Sequence, residues 1–261
     1  MSVKVAVVYY SATGTVYALA QAVADGAASV GAEVRLRRVA ELAPDAAIDQ
    51  NPLWRRHTET TAAIAEATVE DLAWADAFAF GTPTRFGTPA AQLKQFIDQT
   101  GGLWREGGLA DKPVTAFTSA FNRHGGNEAT ILSLSNVFYH WGALIVPPGF
   151  TDPAVYAAGG NPYGTSSVAG PPTGDGPDAT ALEAARYQGR RLAEITIRLL
   201  EGVRAPDGER GSRGVADAAE SSGSVADAER GGGGLPGAGG KSGRGAGAGG
   251  SGVGAMAGRT V

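Results

Sequence analysis

Apolar positions along this chain change their spacing again and again, from short runs to intervals of three and four and back. Apolar or alternating runs at Val3–Tyr9, Glu33–Val39, Ala77–Gly81, Val114–Ser119 and Leu144–Val146 predict five strands. Between them, Val16, Leu19, Ala20, Val23 and Ala27 share one helical face, predicting a helix over Val16–Val30. Further helical patterns cover Ala90–Thr100, Glu128–Tyr139 and Ala181–Val203, the last with a stripe through Leu182, Ala185, Arg186, Gly189, Leu192, Ile195, Leu199 and Leu200, interrupted by Gly189. Thr88-Pro89 reads as an N-cap followed by an N1 proline, with Gly101 just past the helix end. Thr68-Val69-Glu70-Asp71 reads as a capping box opening a shorter helix. Strands alternating with helices imply an α/β fold, an open five-stranded parallel sheet with helices on both faces. The stretches 42–74 and 147–180 exceed simple connections, and loops of that length usually carry function or an interface.

The pattern stops after Val203. From Ala205 to Val261 there is no aromatic residue, no isoleucine and a single leucine, Leu235. Such a segment cannot bury enough apolar area to offset its ordering entropy. The expected organisation is a folded domain over 1–203 and a Gly/Ala-rich disordered tail over 204–261. Gly245–Gly250 fits G-x-G-x-x-G and Gly240-Lys241-Ser242 resembles a P-loop ending, but neither has the strand before it and helix after it that phosphate binding needs.

Composition narrows the classes. The net charge is −4 at neutral pH, which disfavours a nucleic-acid or anionic-membrane surface. Cysteine is absent, which removes disulfides, thiolate nucleophiles and cysteine-bound metals; no metal site is expected. No run approaches the length of a membrane span and the first residues do not form a signal peptide, so a cytoplasmic location is expected.

The chemistry lies at strand ends. Ser11-Ala12-Thr13-Gly14-Thr15 joins the first strand to the first helix. Backbone N–H groups of such a turn point outward, the helix end adds about half a positive charge, and Gly14 permits positive φ. Without lysine, arginine or the dinucleotide glycine pattern, the turn suits a phosphate monoester on a mononucleotide. The competing reading is a plain strand-to-helix connection whose hydroxyls cap the helix.

"YYSATGTVYALA" resembles the phosphate loop of flavodoxin-like proteins, with Val16 in place of the last hydroxyl. An apolar residue there is a feature of the WrbA family of NAD(P)H:quinone oxidoreductases. "FGTPTRFG" (80–87), "DQTGGLW" (98–104), "GGNPYG" (159–164) and "ARYQG" (185–189) also resemble WrbA sequences, in order, over roughly Val3 to Leu200. The resemblance implies a flavodoxin-like fold, FMN as cofactor, and two-electron reduction of a quinone by NADH or NADPH in ping-pong turnover. It also implies a homodimer or homotetramer with sites at subunit contacts. FMN would be held by Ser11, Ala12, Thr13, Gly14, Thr15 and Val16, and by Pro83, Thr84, Arg85, Phe86 and Gly87. A third segment, Ser119, Ala120, Phe121, Asn122, Arg123, His124 and Gly125, replaces a lighter Ser/Thr/Gly run and is about one residue longer; Arg123 and His124 read equally as solvated loop residues. His140 matches the family's flavin-pocket histidine, and Trp104 its quinone and nicotinamide tryptophan, so both are the catalytic candidates; packing roles are the alternative for each. Thr13 stands where many WrbA proteins carry an NAD-linked tyrosine, so Thr13 and Trp104 are the substrate-side candidates. His57 lies in a polar stretch and receives no role. The rival function is a flavodoxin-like electron carrier serving a redox protein.

Overall fold

The computed structural model describes residues 2–169 and 176–204. In chain order the elements are β1 (Lys4–Tyr9), α1 (Thr15–Ala28), β2 (Glu33–Arg38), α2 (Asp45–Ile48), α3 (Pro52–Thr60) and α4 (Val69–Trp74). There follow β3 (Ala77–Arg85), β4 (Thr88–Pro89), α5 (Ala91–Gln99), α6 (Gly101–Arg105), β5 (Pro113–Ala120) and α7 (Asn127–Trp141). The last are β6 (Leu144–Ile145), α8 (Pro153–Ala157), β7 (Ser166–Val168) and α9 (Ala179–Arg204). Apart from Arg204, which closes α9, the expected tail over 204–261 lies outside the described residues.

The five expected strands form a sheet in the order β2-β1-β3-β5-β6, every pair parallel. Two short strands add to it. Strand β4 pairs antiparallel with the far end of β3, and β7 runs parallel to the far end of β5. Because β3 occupies one side of β5, β6 and β7 share the other: β6 pairs at Pro113–Val114 and β7 at Thr118–Ala120. The fifth strand position is therefore split, and the excursion between its halves is most of the long 147–180 stretch.

Side-chain alternation divides the core. Val5, Val7 and Tyr9 of β1 pack with α1 and α9 on one face, while Ala6, Val8 and Tyr10 pack on the other with α5 and α7. On the second face Phe78, Phe80, Phe138 and Trp141 form an aromatic cluster with ring centroids 5.6–6.4 Å apart. Each fully buried side chain of this kind contributes about 1.5–3 kcal/mol. On the first face α1 and α9 cross backbone to backbone. A Cβ on Gly26 would overlap the Arg186 carbonyl, and one on Gly189 would overlap the Val23 carbonyl. Gly189, which interrupts the apolar stripe, is thus the residue that lets the two helices meet.

Two local expectations are corrected. Thr88-Pro89 does not cap α5; it is β4, paired with Thr84 and Arg85. The first free amide before α5, that of Ala90, is instead capped from across the hairpin by Thr82 Oγ1 at 3.0 Å. Residues 82–85 are not a loop after the third strand but its continuation, with Thr82 opposite Thr118 and Pro83 opposite Ser119. Full burial of Thr82 and Pro83 against β5 outweighs the turn signal of the proline. The capping box holds: the Asp71 carboxylate accepts from the Thr68 N–H at 3.2 Å, and Arg35 and Arg37 each donate to it at 3.1 Å.

Candidate active site

Strand order reverses between β1 and β3, and open parallel sheets bind ligands beyond the strand ends at that point. A cavity of about 350 Å³ lies there. Its walls come from the turn after β1 (Ser11, Ala12, Thr13, Thr15, Val16), the end of β3 (Pro83, Thr84, Arg85) and the end of β5 (Ser119, Ala120, Phe121, Asn122, Gly125). Thirteen predicted cofactor residues from three separate segments are thereby brought together.

The turn has the geometry of an anion cradle. Gly14 adopts φ +103°, a left-handed conformation that side chains disfavour, and it directly precedes α1. Its own N–H donates to Ser11 Oγ at 3.1 Å. No side chain caps α1, so the capping reading of the hydroxyls does not hold. The backbone N–H groups of Ala12, Thr13, Thr15 and Val16 find no acceptor among the described residues. Amides left without an acceptor at a helix start are what a phosphate dianion requires. The residues present therefore fit an FMN phosphate, with the ring system left to the β3 and β5 ends.

The β3 side is braced from α7. The Thr130 hydroxyl donates to Thr84 Oγ1 at 2.6 Å, and Thr84 Oγ1 lies 3.5 Å from the Gly126 carbonyl. Gly126 (φ +94°) has no room for a side chain, since a Cβ would come within 2.9 Å of the Gly87 Cα. Arg85 is exposed and donates to the Thr84 carbonyl at 3.0 Å, leaving its charge at the cavity rim.

The 42–74 stretch also reaches the cavity. Asn51 and Leu53, which sequence reasoning did not single out, line it beside Ala169 and Gly176. Asn51 caps α3, accepting from the N–H of Leu53 at 3.0 Å and of Trp54 at 3.4 Å. Asn51-Pro52, an N-cap before an N1 proline, was the signal available. Glu41 ties this segment to the turn. Its carboxylate accepts from Tyr10 Oη (2.9 Å), Trp54 Nε1 (3.0 Å), Gln92 Nε2 (2.7 Å) and the N–H groups of Leu42 (2.9 Å) and Ala43 (3.0 Å). Burial alone would raise its pKa, but these donors outweigh it and hold the carboxyl below its ordinary value. Burial, with the neighbouring Glu41 charge, pushes the Tyr10 phenol well up.

Other predicted residues lie elsewhere. Gly14 shapes the turn without lining the cavity. Phe86 is fully exposed in a left-handed conformation (φ +54°), unusual for a bulky side chain, and Gly87 completes that hairpin at φ +78°. Arg123 and His124 are exposed and off the cavity wall. Trp104 and His140 are brought together, with Trp104 Nε1 donating to the His140 carbonyl at 2.8 Å. They line a second depression formed by α5, α6 and α7 that shares no residue with the first. Within one chain, the catalytic candidates and the phosphate turn occupy different hollows.

Residues 3–155 match the family model described as NADPH-dependent FMN reductase. A protein of Deinococcus radiodurans named NAD(P)H dehydrogenase (quinone) is 46% identical over 199 residues, covering 76% of this chain and 98% of its own. One of the same name from Aromatoleum aromaticum is 43% identical over 207 residues, with 76% and 98% covered. Among solved structures, a flavodoxin, WrbA-like protein from Agrobacterium tumefaciens superposes with a TM-score of 0.52 at 24% identity, covering 76% of this chain and 99% of that one, which supports the fold. No helix among the described residues is long and apolar enough to cross a membrane. The chain belongs to the NADPH-dependent FMN reductase family and, within it, to the WrbA-type NAD(P)H:quinone oxidoreductases that the quoted motifs resemble.

Proposed function

We infer that this chain is an FMN-dependent NAD(P)H:quinone oxidoreductase of the cytoplasm. The observation that carries the reading is the set of unpaired turn amides at the β1/β3 switch point, facing a cavity walled by the ends of β3 and β5. When bound, FMN supplies the chemistry, accepting hydride from a reduced nicotinamide and passing two electrons to a quinone. The protein supplies position and electrostatics. Ala12, Thr13, Thr15 and Val16 would hold the FMN phosphate through their N–H groups, and Pro83, Thr84 and Arg85 would hold the rest of the cofactor from the β3 side. Backbone groups of Ser119–Gly125 would hold it from the β5 side, and Arg85 would offset negative charge at the rim.

The substrate side needs a second copy of the chain. Trp104 is half-exposed and His140 exposed in a depression separate from the cavity, and Phe86 is fully exposed next to Arg85 at the cavity rim. In a homodimer or homotetramer these groups would face a neighbour's cavity, covering the flavin ring and shaping one pocket for nicotinamide and quinone in turn. Trp104 provides an apolar wall there and His140 a titratable donor near the quinone oxygens.

The test is the visible spectrum of the purified protein loaded with FMN. Anaerobic NADH or NADPH should bleach the flavin band, and benzoquinone should restore it. A protein that binds FMN yet is bleached by neither nicotinamide would instead be the electron carrier.

A further inference from the structure

Behind the phosphate turn lies a second cavity, of about 120 Å³. Ser11 lines both cavities, so the turn is the wall between them. His57, on α3, lines the rear one and is 9% exposed. Its Nδ1 would lie 3.6 Å from a Cβ placed on Gly14, so the imidazole backs directly onto the turn. The ring packs on Tyr17 with centroids 5.6 Å apart, and Tyr17 in turn stacks on Tyr9 at 5.5 Å. No ion pair involving His57 occurs among the described residues.

We propose that His57 is a charge-switching positioning residue for the phosphate turn, taking up a proton from solvent when a phosphate dianion settles at Ser11–Val16. This rests on the FMN reading above. The turn itself carries neither lysine nor arginine, so its grip on a dianion comes from neutral donors alone. A buried imidazole behind it can supply the missing positive charge without crowding the ligand.

The groups facing His57 leave it the one that switches near neutral pH. Tyr9 closes β1, Tyr10 follows it and Tyr17 comes from α1; burial raises both Tyr9 and Tyr10, keeping those phenols neutral. Arg38, at the end of β2, is engaged by Glu66 at 2.9 Å and by the Ile64 carbonyl at 3.0 Å. Glu41 is saturated by its five donors. Burial lowers His57, so it is neutral before the anion arrives. The Tyr9 hydroxyl is buried, lines the same cavity and has no hydrogen-bond partner among the described residues. A polar cavity of this size admits water, which gives the incoming proton a path and Tyr9 a partner.

The histidines number three in the whole chain, so the His57 imidazole can be followed by NMR. Titrated in the wild-type protein, its midpoint should move up by about one pH unit on saturation with FMN and stay put with riboflavin, which lacks the phosphate. FMN should correspondingly bind roughly two- to fourfold more tightly at about pH 6.5 than at about pH 8, and His57→Gln should lose that dependence while still preferring FMN to riboflavin. The NMR comparison needs no variant, so it decides the matter even if His57→Gln fails to fold. An imidazole midpoint unmoved by FMN, with FMN still far tighter than riboflavin, would overturn the His57 assignment alone. Equal affinity for FMN and riboflavin would overturn the phosphate-turn reading and this proposal with it.

Discussion

Replacing Gln188 with methionine should cost this fold about 3 kcal/mol although nothing near the phosphate turn is touched. Gln188 sits on α9 and is 1% exposed. Its Nε2 donates to Thr115 Oγ1 at 2.6 Å and to the Ala116 carbonyl at 2.8 Å, while its Oε1 accepts from the Thr165 N–H at 2.8 Å. One side chain thus fastens the returning end of the β6–β7 excursion to β5. Methionine conserves volume, so the cavity contribution is small. What remains is the stranded Thr165 N–H, at about 1–3 kcal/mol, and the loss of two further bonds at about 0.5–1.5 kcal/mol each. For a domain of this size that corresponds to a fall in Tm of about 6–12 °C, checked by thermal unfolding together with urea titration at unchanged m-value. A fall of less than about 2 °C would refute the reasoning, because it would mean the Thr165 amide has another acceptor. FMN affinity should drop as well, since Ala169, directly after β7, lines the cavity.

Gly14→Val should weaken FMN binding by about a hundredfold, read by quenching of flavin fluorescence, because a β-branched residue at φ +103° costs about 1–3 kcal/mol and displaces the turn amides. Gly189→Ala should destabilise by about 3 kcal/mol or more in urea unfolding, as the methyl collides with the Val23 carbonyl of α1. Because the Glu41 carboxyl is held below its ordinary value, its stabilisation is fully present above that value and lost as pH falls through the lowered one. The Tm of the wild type should therefore fall more steeply between about pH 5 and about pH 3 than that of Glu41→Gln. Phe86→Asn, which suits a left-handed backbone, should leave the Tm of an isolated subunit unchanged or slightly higher while weakening self-association in analytical ultracentrifugation.

Much of this architecture is written in local sequence. The Val5/Val7/Tyr9 against Ala6/Val8/Tyr10 alternation, the helical stripes and the Thr68–Asp71 box each act over a few residues, and the structure realises them where the pattern places them. The turn at Ser11–Thr15 was legible for the same reason: its residue types and position after a strand carry its chemistry. What escaped depends on distant partners. Thr82–Arg85 resembles a loop until β5 and β4 pair with it. Asn51 and Leu53 join the cavity from the 42–74 stretch, which Glu41 holds beside the turn through Trp54. Thr130 has no local signature as the brace of Thr84. His57, set aside in a polar stretch, is buried by tertiary packing that no spacing announces.

The glycine crossing of α1 on α9 has a consequence for biosynthesis. The helix that begins at the phosphate turn leaves the ribosome well before the surface it packs against, since Arg186–Gly189 emerges about 160 residues later. Until then α1 has an unsealed apolar side and the turn before it lacks a firm anchor. Cofactor capture is thus deferred until this part of α9 has been made, and a fragment ending before Gly189 would carry every residue of the phosphate turn without the means to hold it in shape.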